Sequence, residues 1–160
     1  MSGGFTWTSI SSGLYHSCGI SSNGGNIARC WGYGNSGALG DNLATTSPIP
    51  VTVAGSLVNW TRVTVGNQVS CGSTPAFSQC WGQNGNGQLG SEETINQQNT
   101  PTLVAGALLF TSLDAGQDHS CAKTGTGASS VLYCWGYNGN GRLGSTGVNT
   151  SKRTPTLVVQ

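Results

Sequence analysis

The chain has 160 residues, 26 of them glycine, and only 7% of its residues are charged, for a formal net charge of +1. This sparse and balanced charge excludes the basic surface that nucleic acids and anionic membranes attract, so neither is expected as a partner. The longest apolar run, residues 103–110, contains a glycine and is too short to span a bilayer. No signal-peptide pattern follows Met1.

The first third of the chain is predicted to form four short strands. Residues 5–10 alternate apolar and polar side chains, which is typical of a strand with one apolar face. Residues 16–20 and 27–32 are predicted as the second and third strands, joined by a hairpin-type turn rich in Asn and Gly. A compact glycine-rich loop follows at residues 34–40. A fourth strand is predicted over residues 48–53, with proline at its start, where a missing N–H does least harm.

This order of elements occurs three times. Its most constant part is Cys-Trp-Gly followed by a glycine-rich turn, at residues 30–40, 80–90 and 134–144. A glycine, a cysteine and a proline also recur at matching places: Gly13, Gly66 and Gly116; Cys18, Cys71 and Cys121; Pro50, Pro101 and Pro155. Self-similarity at this spacing marks one supersecondary unit repeated along the chain. We therefore expect three repeats, over residues 1–55, 56–106 and 107–160.

The repeats resemble those of the regulator of chromosome condensation family, which combine a histidine-containing strand, a WGxNxxGQLG turn and a proline-led strand. The match is close from Trp81 to Gly90 and from Trp135 to Gly144. In the first repeat, Gly34 stands where the family has asparagine, and a differently hydrogen-bonded turn is expected there.

The resemblance implies an all-β fold of propeller blades, each with four short antiparallel strands. Members of the family are propellers, commonly seven-bladed, that serve as nucleotide-exchange factors, ubiquitin-ligase modules or an inhibitor of β-lactamase. Closed propellers typically need about four to eight blades, so three repeats are expected to form an open sector that completes itself by oligomerisation. Trp31, Trp81 and Trp135 are predicted to pack in the core or between blades rather than to form a carbohydrate platform.

The six cysteines fall as one pair in each repeat: Cys18 and Cys30, Cys71 and Cys80, Cys121 and Cys134. The repeat favours disulfides within each pair over other pairings. Three disulfides indicate an extracellular or otherwise oxidising compartment, with a leader outside this numbering. The alternative is a cytoplasmic protein with six buried free thiols. Zinc is not indicated, because no C-x-x-C or His-x-x-x-His spacing occurs.

No residue pattern predicts catalysis or a cofactor. Residues 85–90 and 139–144 fit the dinucleotide-binding expression GxGxxG, but a proline-led strand follows where a helix is required. Asp114, Asp118 and His119 form an acid–base cluster without a nucleophile or a third metal ligand at a usable spacing. We therefore predict a protein that is not an enzyme and binds no metal or cofactor. Asn59 and Asn149 begin N-glycosylation sequons.

The first and last strands of the chain predict how copies would join. Inside the chain, a proline-led strand runs through a tight glycine joint into the next aromatic strand, and such neighbours are expected to pair as hairpins. The first and last strands would then pair between subunits, as each other's missing partners. The predicted interface residues are Phe5, Trp7, Ile10, Thr156, Leu157 and Val158.

Two functions remain open at this point. The first is a self-assembling structural protein whose copies join head to tail, either as a closed ring or as an extracellular filament. The second is a binding module that holds a protein or a glycan through the polar loops on its rim.

Overall fold

The protein is described by a computed structural model covering residues 4–55 and 58–159. These residues form three four-stranded antiparallel sheets, which we call blades 1, 2 and 3. Blade 1 contains β1 (Trp7–Ser12), β2 (His16–Ser21), β3 (Ile27–Gly32) and β4 (Ser47–Thr52). Blade 2 contains β5 (Arg62–Val65), β6 (Val69–Ser73), β7 (Ser78–Gln83) and β8 (Gln97–Leu103). Blade 3 contains β9 (Phe110–Ala115), β10 (His119–Thr124), β11 (Val131–Gly136) and β12 (Lys152–Leu157). The prediction of an all-β fold with four strands per blade is confirmed.

Short 3-10 turns at Gly127–Ser129 and Gly139–Gly141 are the helical segments of the described chain. No helix in residues 4–55 or 58–159 is long and apolar enough to cross a membrane.

Each blade is held by a disulfide between its second and third strands. The bridges join Cys18 to Cys30, Cys71 to Cys80 and Cys121 to Cys134, as the repeat predicted. In every case the two cysteines lie directly opposite each other in the antiparallel register. Each bridge closes a short loop and is expected to stabilise the blade by roughly 3 kcal/mol in the chain-entropy model.

A β-bulge recurs where the third strand of each blade pairs with the fourth. The register shifts between Cys30 and Gly32 in blade 1, and at the equivalent places in blades 2 and 3. The glycine of Cys-Trp-Gly has a positive φ in all three blades, for example 101° at Gly82. A Cβ there would overlap the Gln68 carbonyl oxygen, so only glycine fits the position. This explains why Gly follows Trp in every repeat.

The expected hairpin between consecutive blades is wrong. β4 pairs with β3 and β5 pairs with β6, so the proline-led strand and the next aromatic strand belong to different sheets. The chain passes from the fourth strand of one blade to the first strand of the next, and the blades then meet through their faces. β1 and β12 are edge strands, and each pairs with one neighbour in its own blade. Because the internal hairpins do not exist, they no longer support pairing between the first and last strands of different subunits, which stays a prediction.

The hydrophobic core lies between the blades. One cluster fills the junction between blades 1 and 2 and includes the buried residues Cys18, Cys30, Leu39, Trp60 and Trp81. The second cluster fills the junction between blades 2 and 3 with the equivalent residues Cys71, Cys80, Leu89, Phe110 and Trp135. Each junction thus packs the disulfide side of one blade against the aromatic side of the next.

Candidate functional site: the open blade faces

The junction between blades 1 and 2 is organised around one backbone carbonyl in the glycine-rich loop. The Trp81 indole Nε1–H donates a hydrogen bond of 2.9 Å to the Ala38 carbonyl oxygen. The Ser70 hydroxyl donates to the same oxygen, also at 2.9 Å. All three residues are buried, so the two bonds satisfy polar groups that water does not reach.

The junction between blades 2 and 3 repeats this arrangement. The Trp135 indole and the Ser120 hydroxyl donate to the Gln88 carbonyl oxygen, at 2.9 Å and 3.0 Å. The serine belongs to a Ser-Cys pair that occurs in every repeat, at Ser17, Ser70 and Ser120. The sequence analysis did not single out these serines or the loop carbonyls; the recurring Ser-Cys pair was the signal that could have found the serines.

Close backbone contact also defines the junctions. A Cβ built on Gly13 would overlap the Gly66 carbonyl oxygen, and one built on Gly66 would overlap the Gly116 carbonyl oxygen. A Cβ on Gly40 or Gly90 would lie 2.6 Å from the Nε1 atom of Trp81 or Trp135. These glycines recur because the backbone of one blade touches its neighbour there.

The loop itself is fixed by the motif asparagine in two of the three repeats. The Asn84 side-chain amide donates to the carbonyls of Glu93 and Ile95, and its oxygen accepts the Leu89 N–H. In blade 3 the Asn138 amide donates to the Gly147 carbonyl, and its oxygen accepts the Leu143 N–H. In blade 1 a Cβ on Gly34 would overlap the Thr45 carbonyl oxygen, so the segment packs directly on that backbone. The departure noted in the sequence thus corresponds to a differently supported turn.

The junctions differ in polarity at the position that is His16 in blade 1 and Val69 in blade 2. His16 reaches across the junction, with its Nε2 atom 2.7 Å from the Ser70 hydroxyl oxygen. Because Ser70 donates its proton to Ala38, the neutral imidazole must donate from Nε2. Burial lowers the pKa of His16 to about 4, so the ring is neutral near pH 7.

Blade 1 has an aromatic face on which no other described blade packs. We define the aromatic face as Trp7, Ile10, Ser17 and Trp31. Ile10 is 66% exposed, whereas its counterparts Val63 and Leu113 are 5% and 4% exposed at the internal junctions. Trp7, Ile10 and Trp31 line an open apolar cavity of about 310 Å³. At an internal junction, the equivalent face of a blade contacts the glycine-rich loop of the preceding blade.

Blade 3 has a disulfide face that is likewise uncovered by the other described blades. We define it by residues whose counterparts lie at the internal junctions: His119, Cys121, the Arg142 carbonyl, Thr156 and Val158. Cys121 is partly exposed, although Cys18 and Cys71 are fully buried. Arg142 is exposed, whereas its counterparts Ala38 and Gln88 are fully buried. At an internal junction, the equivalent face of a blade contributes the glycine-rich loop that the next blade contacts.

The predicted interface residues divide between these two faces. Trp7 and Ile10 lie on the aromatic face, and Phe5 packs edge-on against Trp7 with a centroid distance of 5.5 Å. Thr156 lies opposite Cys134 in the blade register, and Val158 packs beside Gly144. Leu157 is 55% exposed. β1 and β12 are the edge strands of their sheets, each paired with one neighbour in its own blade. The role of these residues as a subunit interface stays a prediction.

The acid–base cluster does not assemble into a metal site. No group of three metal-ligating side chains occurs within residues 4–55 and 58–159. Asp114 accepts a 3.0 Å hydrogen bond from the Thr64 hydroxyl and so belongs to the junction. Burial and the positive charge of Arg142 lower the pKa of His119, while Asp118 and Asp114 oppose this effect.

Both sequon asparagines are exposed and have a positive φ, 65° at Asn59 and 66° at Asn149. The Asn149 side-chain oxygen accepts a hydrogen bond from the Asn140 N–H. Glycosylation of either residue stays a prediction.

Comparison with known proteins identifies the repeat. The profile of the Regulator of chromosome condensation (RCC1) repeat matches residues 80–122, and a second profile of the same repeat matches residues 110–142. The chain is an RCC1-like repeat protein. A search of curated protein sequences finds no significant match.

Solved structures share the fold of this chain. Human WBSCR16 is similar over 98% of this chain and 39% of its own, with a TM-score of 0.80 and 20% identity. Yeast RCC1 (Prp20), solved with Kap60 bound, is similar over 96% of this chain and 37% of its own, with a TM-score of 0.80 and 19% identity. The ectodomain of the Physcomitrella patens receptor kinase CR4 gives a TM-score of 0.55 at 19% identity, over 84% of this chain and 33% of its own. The chain therefore spans less than two-fifths of the length of each of these proteins.

Proposed function

We propose that this RCC1-like chain is a non-enzymatic structural module that assembles with further copies of itself, head to tail, through its blade faces. The observation that carries the proposal is the exposure of Ile10, at 66%, beside the half-buried Trp7 and Trp31. Their counterparts at two junctions in the same chain are buried. Covering an aliphatic side chain of this size contributes about 1.5–3 kcal/mol, which is a substantial driving force for association.

The two open faces are complementary in kind. The aromatic face of blade 1 has the residues that bind a glycine-rich loop at an internal junction. The disulfide face of blade 3 has such a loop. A contact between two different surfaces of one molecule is heterologous, so repeated contacts either close into a ring or grow into a filament.

Electrostatics and covalent structure are compatible with this role. The formal net charge of +1 provides little repulsion between copies, and a net charge near zero favours association. One disulfide per blade suits a protein that works in an oxidising compartment, outside the cell or in an equivalent space.

The test is a charge placed on the aromatic face. Ile10→Lys puts an ammonium group where an apolar surface would be covered, while the exposed side chain is not needed to fold the blade. We expect the wild-type chain to form oligomers in size-exclusion chromatography with light scattering and in negative-stain images. The variant is expected to stay monomeric with an unchanged thermal unfolding transition.

Ile95→Lys is the matched control, because Ile95 is 47% exposed in the long loop of the second repeat, away from the aromatic face. This variant is expected to assemble like the wild type. A wild-type chain that is monomeric at every concentration would contradict the proposal. Loss of assembly in Ile95→Lys but not in Ile10→Lys would instead favour contact through the rim loops, as in a protein- or glycan-binding module.

A further inference from the structure

The proposed function leaves open which atoms join one copy to the next, and the internal junctions supply an answer that rests on that function. We propose that Trp31 and Ser17 of one copy donate hydrogen bonds to the Arg142 carbonyl of another copy, whose His119 packs against the same Ser17. The contact would reproduce the junction between blades 1 and 2, in which His16 is present, rather than the junction between blades 2 and 3.

Of the two donors of this contact, one is unused in the described chain and the other makes only a long bond. Trp81 and Trp135 are fully buried and donate from Nε1 to a loop carbonyl. Trp31 is half-buried, and no acceptor for its Nε1–H lies within residues 4–55 and 58–159. Ser17 is also half-buried and makes a long bond of 3.3 Å to the Ser12 hydroxyl. Both groups lie at positions whose counterparts donate hydrogen bonds to a loop carbonyl at the internal junctions.

The acceptor is equally available. No donor in the described part of the chain bonds to the Arg142 carbonyl oxygen, although the equivalent oxygens of Ala38 and Gln88 accept two bonds each. The Arg142 side chain folds back on its own loop: Nε donates to the Gly139 carbonyl at 2.9 Å, and the guanidinium lies 4.7 Å from the centre of the Tyr137 ring. Gln88 also folds back, accepting a bond from the Asn86 N–H. A long side chain at this position is therefore compatible with a junction.

His119 determines which of the two internal junctions the contact between copies would resemble. It occupies in blade 3 the position that His16 occupies in blade 1, and His16 bonds across the junction to Ser70. Ser17 is the counterpart of Ser70 on the aromatic face. The charged groups that act on His119 are Arg142, Asp118 and Asp114. A docked copy would bury this half-buried ring as His16 is buried.

A fourth contact fits the same alignment. The Ser11 hydroxyl accepts a bond of 3.1 Å from the Val65 N–H across the first junction, and the Thr64 hydroxyl accepts one of 3.4 Å from the Ala115 N–H across the second. Asp114 is the counterpart of Ser11 and Thr64 in blade 3. Its carboxylate would accept a bond from the Ser12 N–H of the adjoining copy.

The experiment separates this bond from the general burial of the aromatic face. Trp31→Phe keeps an aromatic ring but removes the Nε1–H. We expect the dissociation constant between copies to rise about five- to tenfold, with unchanged melting of the dissociated chain. Trp81→Phe removes the equivalent internal donor and is the matched variant, expected to lower the melting temperature instead. An unchanged dissociation constant for Trp31→Phe would overturn the inferred bond.

Gly116→Ala tests the register of the two copies. In its own blade the Cβ would lie 2.8 Å from Cε1 of the His119 ring and 3.2 Å from the His119 carbonyl oxygen. By analogy with Gly13 it would also overlap the Gly13 carbonyl of the docked copy. We expect at least a tenfold loss of affinity. Gly85→Ala is the control, since a Cβ there meets nothing within 4 Å and it is expected to change neither folding nor assembly.

The outcomes distinguish the two proposals. If the wild-type chain does not associate, the proposed function fails. If it associates through the Ile10 surface but tolerates both Trp31→Phe and Gly116→Ala, self-assembly stands and the inferred bonding pattern is wrong.

Discussion

The two internal junctions follow one plan but differ at several buried positions, of which one carries a titratable group. Both use a tryptophan and a serine that donate to one loop carbonyl, and both bring a glycine against the backbone of the next blade. Where the first junction has His16 bonded to Ser70, the second has the fully buried Val69. The shared contacts are therefore sufficient to hold two blades together, and the histidine adds a titratable group to one of them.

The largest expected effect comes from a contact that both junctions share. Gly66→Ala would drive a Cβ into the Gly116 carbonyl oxygen, which belongs to the backbone of blade 3 and cannot rotate away. We expect a loss of about 3 kcal/mol or more in the free energy of unfolding, measured by urea denaturation.

Gly85→Ala serves as the reference, since it also replaces a glycine without a positive φ but meets no neighbour. Equal stabilities for the two variants would show that the blades separate at this point at little cost. The backbone contact would then not be what keeps glycine in this position.

Much of the fold is predictable from the repeat because its constraints are local. A strand over residues 27–32 agrees with β3, and the predicted disulfides follow from cysteines on adjacent strands of one blade. The pairing of consecutive blades was predicted wrongly, for a physical reason. A tight glycine joint fits either a hairpin or a passage from one sheet to the next, and the local sequence is compatible with both.

The site was predictable only in part. Alternation in residues 5–10 indicates a strand with one apolar face, but it would place Trp7 and Ile10 on opposite faces. The register shift between Trp7 and Ser9 brings both side chains to the same cavity. The sequence shows neither this bulge nor whether a neighbouring blade covers the face. The acceptors were missed because Ala38, Gln88 and Arg142 act through their backbone carbonyls. Side-chain identity is unrelated to that role, so three dissimilar residues occupy equivalent places.

The two junctions are expected to differ most clearly in how their contribution to stability depends on pH. Burial lowers the pKa of His16 to about 4, from 6.5, so the unfolded chain binds more protons between these values. The stability that His16 contributes is present above pH 6.5 and is lost as the pH falls towards 4. The expected loss in the free energy of unfolding is about 3 kcal/mol at most.

His16→Val, which copies the second junction, is expected to remove this part of the pH dependence. Urea unfolding near pH 7 and near pH 4.5 measures it, and both chains should carry Ile10→Lys so that association does not contribute. His119→Val is the comparison, because the more exposed His119 ring should give a smaller effect. Parallel pH profiles for wild type and His16→Val would rule out His16 as the titrating group.

The smallest expected effect compares the same glycine in a covered and an uncovered loop. Gly87 and Gly141 have nearly equal φ values, 80° and 71°, so alanine strains the backbone at both by about 1–2 kcal/mol. At Gly87 the Cβ would also lie 2.7 Å from Cγ and 2.8 Å from Cα of Arg153 in β12, while at Gly141 it meets nothing within 4 Å. In the dissociated chain we therefore expect Gly87→Ala to be less stable than Gly141→Ala by about 1–2 kcal/mol in urea unfolding. Because backbone strain cancels in this comparison, the difference measures the contact between loop and blade alone. Equal losses for the two variants would mean that the loop of the second repeat yields to the added methyl group, and that the glycine is kept there for its φ and not for the junction.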